Sequence, residues 1–213
     1  MFTYIQNNYQ TILDALIQHI WLAIVPILIS IVIALPLGYL AVRYSALYQV
    51  FNALFGILYS IPSLALFVLL PSLLGVQILS PINIIVALTI YTLALLVRSV
   101  ADALRSVDET VLQAATAVGY TRGRRFLEVE LPIAVPVMLA GLRVATVSNI
   151  SLVSVGAIIG TGGLGFLFTR GFQLFYAPPI IIGIILSVLL AVIFDVIIVL
   201  IQRQLTPWAR VAR

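Results

Sequence analysis

Residues 20–40 carry no charge, and four further stretches, at 50–70, 77 or 82 to 97, 132–159 and 179–201, are nearly as apolar. A helix of about twenty such residues rises 1.5 Å per residue and covers the roughly 30 Å hydrocarbon of a bilayer. The chain is 63% hydrophobic and 8% charged, where soluble domains carry about 25% charged residues. In water such a chain has too little polar surface to cover its core. The pattern predicts an all-α polytopic membrane protein with about five transmembrane helices.

The formal charge of +4 does not mark a nucleic-acid patch. All eleven basic residues are Arg, most of them beside the ends of apolar runs. With the N-terminus outside, the inner segments hold Arg43, Arg98, Arg105, Arg122, Arg124, Arg125, Arg203, Arg210 and Arg213, and the outer segments only Arg170. That asymmetry predicts an outer N-terminus and a cytoplasmic C-terminus. The first apolar run has no basic residue before it and is longer than a signal-peptide core, so it reads as a span. Residues 1–18 read as an extracytoplasmic amphipathic helix, with Thr11 and Asp14 placed like a capping box, or as an extension of the first span. The chain has no Cys and no Lys. That removes disulfides, thiol nucleophiles and cysteine metal sites, and also the P-loop lysine and any lysine Schiff base.

Residues 106–132 interrupt the hydrocarbon with four of the seven acids and three of the Arg residues. Ser106 and Glu109 have capping-box spacing, Gly119 reads as a helix stop, and Thr121 can cap a second helix that ends before Pro132. Such a helix–turn–helix is too short to own a core. It is a solvated loop or it needs a partner groove.

Gln113-Ala114-Ala115, Gly119, Val129 and Leu131-Pro132 resemble the signature E-A-A, x3, G, x9, I, x, L-P of permease subunits of binding-protein-dependent ABC importers. Gln113 stands where the pattern has Glu, which puts any salt bridge at that position in doubt, and Val129 where it has Ile. The resemblance covers about residues 19–202. It implies the type I ABC importer permease fold, with 106–132 as cytoplasmic coupling helices, 203–213 as a basic cytoplasmic tail, and location in a bacterial cytoplasmic membrane. It assigns ATPase coupling to Gln113, Ala114, Ala115, Gly119, Leu131 and Pro132. It also implies a dimer of ATPase subunits carrying ATP and Mg, a second permease subunit, the same chain or a paralogue, and an extracytoplasmic solute-binding protein. No cofactor is expected on this chain, and no nucleic acid among its partners.

Gly160-Thr161-Gly162-Gly163-Leu164-Gly165, Ile61-Pro62-Ser63-Leu64-Ala65, Ala140-Gly141-Leu142-Arg143 and Leu205-Thr206-Pro207-Trp208 are similar to permeases of importers for glycine betaine, carnitine or choline. The glycine run also resembles methionine-importer permeases, which keeps methionine or another amino acid as the alternative substrate. With no strand before it and no acid about twenty residues on, it is not a nucleotide loop. Gly160, Gly162, Gly163 and Gly165 are either part of an outer gate or a helix cap and tight turn. Arg143 and Asp195 lie within apolar runs, where ions are costly, and are expected either to pair or to be satisfied separately. Tyr59, Tyr91 and the aromatics of 166–176 could face a quaternary ammonium, though aromatics also gather at bilayer interfaces. His19 reads as interfacial. With one acid in the last span and a lone His, an intramembrane hydrolase lacks its groups, and a bare scaffold does not explain the spacing of the signature.

Overall fold

The computed structural model describes residues 1–210, so Arg213 of the expected tail lies outside it. The described residues form α-helices with short turns. Four are long and apolar enough to cross a membrane, or five if one bent pair is counted as a span.

Helix α1 (Phe2–Arg43) absorbs the expected surface segment and the first span into one helix, bent at Asn8, whose side chain donates to the Tyr4 carbonyl at 3.0 Å. Thr11 and Asp14 therefore sit inside this helix, past its bend at Asn8, and form no capping box. Ile12 and Ala15 are buried against Leu164, Leu167 and Ile182, so this part of α1 packs on its own bundle. Residue 18 is not an element boundary, and neither is 202.

The second expected span is broken. Helices α2 (Ser45–Ser60) and α3 (Ser63–Leu74) meet at 103°. The break falls at Pro62, whose ring disfavours helical backbone at the preceding residue, and Ile61 is extended at φ −66°, ψ 129°. The Tyr91 hydroxyl donates to the Ile61 carbonyl at this break. Helix α4 (Pro81–Arg105) settles the ambiguous third span: Ser80 accepts from the Ile82 N–H at 3.3 Å and Pro81 occupies the first turn. It ends at Arg105, so Arg98 and Asp102 ride on it.

Helix α5 (Glu109–Ala117) begins at Asp108, not Ser106. Because α4 runs on to Arg105, Ser106 closes that helix, its hydroxyl donating back to the Ala103 carbonyl at 2.7 Å. Asp108 is the next residue with extended backbone and takes the cap. After Gly119 the chain re-enters a helix, α6 (Arg122–Arg125), without a side-chain cap from Thr121. The second helix is not separate from the fourth span: a π turn, Phe126–Glu130, joins α6 to α7 (Leu131–Gly156). The Leu131 N–H reaches back five residues to Phe126. The wider turn leaves room for the Pro132 ring, which would otherwise press on the preceding turn. Helices α8 (Gly165–Gln173) and α9 (Ala177–Leu205) complete the bundle.

Helix α4 is the axis, with 56% of its most apolar window buried against 11% for α9. One core cluster joins Leu22, Phe67, Ile84, Leu88, Tyr91 and Val153. A second, toward the Arg-rich end, joins Ala34, Val97, Val100, Leu104, Ala134 and Met138. Small residues let the axes close: a Cβ on Gly38 would collide with Val100, and one on Gly141 with Ser99.

Candidate functional site: an exposed elbow, a glycine clasp and an ion pair

Asp108 accepts both the Thr110 N–H at 2.8 Å and the Thr110 hydroxyl at 2.7 Å, which hold its carboxyl below its ordinary range. At the other end of α5 the Gly119 N–H returns to the Thr116 carbonyl at 3.0 Å and the Tyr120 N–H to Ala115 at 3.1 Å. These paired bonds need a left-handed residue after the last turn, and Gly119 supplies it at φ +94°. The Arg125 guanidinium donates from Nη1 to Thr116 Oγ1 at 2.9 Å and from Nε to Glu130 at 2.7 Å, tying the two limbs together. Leu112 and Phe126 face the bundle, and the Phe126 ring lies 4.5 Å from that of Tyr39. Ala115 is buried, whereas Gln113 and Ala114 are exposed beside Val118, 76% exposed. The elbow is thus braced inward and presents a small, smooth outer face.

Of the six residues assigned to coupling, Gln113, Ala114, Ala115 and Gly119 lie on this one short helix and its stop. Leu131 and Pro132 lie beyond the π turn, half-buried at the root of α7.

The glycine run lies at the opposite end of α7. Gly160, Gly162 and Gly163 have positive φ (87°, 83° and 68°) and Gly165 opens α8. Two consecutive side chains of α1 clasp the run. Gln18 Nε2 donates to the Thr161 carbonyl at 2.9 Å and its Oε1 accepts from the Gly163 N–H at 3.1 Å. His19 Nδ1 accepts from the Leu164 N–H at 3.2 Å, and Nε2 faces the Ile150 carbonyl at 3.1 Å. A donor on one ring nitrogen and an acceptor on the other fit the neutral imidazole. A Cβ on Gly162 would collide with the Gln18 amide, and one on Gly163 would come within 3.1 Å of His19 Nδ1. His19 is fully buried, so it is not an interfacial residue. Sequence reasoning missed this clasp. Its one local signal was two adjacent polar side chains opening an apolar run.

Between the two ends, Arg143 of α7 and Asp195 of α9 form a bidentate pair, Nε to Oδ1 at 2.6 Å and Nη2 to Oδ2 at 2.8 Å. Their side chains are 40% and 31% exposed, so neighbouring helices do not seal the pair. Of the small and hydroxylated residues on α7, Ala134, Ala145, Thr146 and Gly156 are buried, and they pack helices together. Phe172 and Phe175 are exposed at the end that carries the glycine run.

The family described as "binding-protein-dependent transport system inner membrane component" matches residues 30–207. The chain is 34% identical to the "osmoprotectant import permease protein OsmW" of Salmonella typhimurium, over 96% of each chain. It is 31% identical to the "glycine betaine/carnitine/choline transport system permease protein OpuCD" of Bacillus subtilis, over 96% of this chain and 89% of that one. Among solved structures it is similar to the inward-facing MetNI methionine ABC transporter, with a TM-score of 0.85 and 22% identity, covering 94% of this chain and 98% of that one. At that identity the likeness shows the shared fold. Elbow spacing, helix order and similarity along nearly the whole chain agree: this protein belongs to the binding-protein-dependent transport system inner membrane components, the multi-pass permeases of ABC importers.

Proposed function

We propose that this chain is the transmembrane permease subunit of an ATP-driven importer that moves a compatible solute such as glycine betaine, carnitine or choline into the cell. The similarity to an osmoprotectant permease over 96% of both chains carries the substrate class. On this reading ATP and Mg are bound by a separate ATPase dimer, consistent with a chain that has no lysine for a P-loop. The elbow of residues 106–132 points into the cytoplasm and docks in a groove of that ATPase. Gln113, Ala114 and the exposed Val118 form the contact. Leu131 and Pro132 pass its displacement into α7, because an elbow braced on the bundle moves with it as a rigid body. A second permease subunit completes the pore, and a solute-binding protein docks at the opposite end, where the clasped glycines form part of the outer gate. The N-terminus is outside, the basic tail inside, and no cofactor sits on this chain.

The test is ATP-dependent uptake of radiolabelled glycine betaine, choline and methionine into vesicles containing the permease, its ATPase and its binding protein. Uptake of betaine or choline alone is expected. Uptake of methionine alone, or of none of the three, contradicts the reading.

A further inference from the structure

Tyr48, Phe51, Phe55 and Tyr59 recur along one face of α2 at helical spacing and line a cleft of about 410 Å³ against α4. That is ample for a small solute. From Tyr48 to Tyr59 the face runs about 16 Å along the helix. At its Arg-rich mouth the Arg105 guanidinium already sits 3.6 Å from the centroid of the Tyr48 ring, so one ring of the cleft holds a cation on its face. At the far end Tyr59 meets Tyr91 edge-on, with centroids 5.8 Å apart. Beyond that pair the space toward Asn149 shrinks to about 10 Å³. The Tyr91 hydroxyl is anchored on the Ile61 carbonyl at the α2–α3 break. Broken helices at membrane depth are tolerated where they line a cavity, and they mark solute sites in other transporters.

We infer that this cleft is a transient site for a quaternary ammonium, held by the faces of Phe55 and Tyr59 and stopped by the Tyr59–Tyr91 pair. The lining selects the ligand. Its one charged lining residue, Arg98, pairs with Asp102 at 3.7 Å, and Asp102 also accepts from the Tyr48 hydroxyl at the mouth. Deeper, from Phe51 to Tyr59, no carboxylate lines the wall, so a primary ammonium or metal ion there would give up hydration without a partner. A tetraalkylammonium has no N–H to satisfy and presents a diffuse positive surface that ring faces attract. The inference rests on the substrate class proposed above, and it places selectivity in the permease as well as in the binding protein.

The chain contains no cysteine, so an Asn52→Cys variant carries a single thiol in the cleft wall. In vesicles holding the assembled importer, labelling of that thiol by a water-soluble maleimide is followed with tetramethylammonium, choline, or the neutral tert-butyl analogue of choline. The two cations should slow labelling several-fold and the neutral analogue should not. Adding Tyr59→Leu with Phe55→Leu should abolish the protection, while Tyr59→Phe, which keeps the ring, should retain it. Equal protection by the neutral analogue, protection by neither cation, or a thiol that no reagent reaches because lipid or the second subunit covers it, each overturns the site. Uptake measured in the same vesicles separates the two proposals. Betaine uptake without cation protection overturns the cleft and leaves the transport reading standing. Cation protection with no uptake of betaine or choline does the reverse.

Discussion

Gly119 holds a backbone conformation that costs most L-residues roughly 1–2 kcal/mol, and the space around it is open. A side chain there strains the turn without meeting a neighbour. Gly119→Leu should therefore leave the protein inserted at its normal level while shifting the elbow enough to lower both uptake and the ATPase stimulation that accompanies it. Normal coupled uptake at matched membrane levels would contradict this. His19 is the opposite case. His19→Leu would strand the Leu164 N–H in a buried place, at a cost of about 1–3 kcal/mol. The variant should lose thermal stability in detergent, and unchanged unfolding would show the clasp to be idle. The turn glycine was legible in the sequence because positive φ is a local requirement. The histidine was not: its partners lie 131 and 145 residues away, and no local pattern encodes such a distance.

Apolar runs located the helices but did not set their lengths, since α1 begins at Phe2 and α4 runs on to Arg105, and helix ends did not always follow from single polar residues. Ser106 had the spacing of a capping box, yet α4 ran on and left Asp108 as the first free cap. The Asp108 carboxyl is held below its ordinary range by Thr110, so the cap is present at neutral pH and weakens only as pH falls through that lowered value. Protection of the α5 amides, corrected for the intrinsic pH dependence of exchange, should therefore stay constant from neutral pH down to the ordinary carboxylate range and fall only below it. Asp108→Asn should remove the dependence, and protection that falls already near pH 6 would contradict the assignment. Pro62 was visible inside the second apolar run, but the 103° turn at it was not, because proline alone does not say whether neighbours straighten or bend a helix. The Arg143–Asp195 pair was visible only as two costly ions whose depths had to be compared. Either charge neutralised alone should reduce assembly, since it leaves its partner unpaired within an apolar span. The exchange Arg143→Asp with Asp195→Arg should restore it, and a swap as defective as the singles would show that the pair does not fasten α9.

At the scale of the whole molecule, α4 is the axis, α9 lies at the periphery, and an exposed elbow projects from the Arg-rich end. The spans, the bundle class and the elbow's position in the chain were readable from hydropathy and spacing. The single rod from α6 through α7 was not, since its continuity depends on a π turn that absorbs Pro132. On the proposed reading, a push on α5 would pass through the Arg125–Thr116 bond into that rod. The central claim is that an ATPase grips this elbow on the cytoplasmic side. It is tested most directly by a Gln113→Cys variant, whose thiol is the only one in the chain. Labelled in sealed vesicles of known orientation, it should react only from the cytoplasmic face, become protected when the ATPase subunit is added, and cross-link to that subunit. A thiol that labels from outside, or that reacts equally with and without the ATPase, would contradict the account.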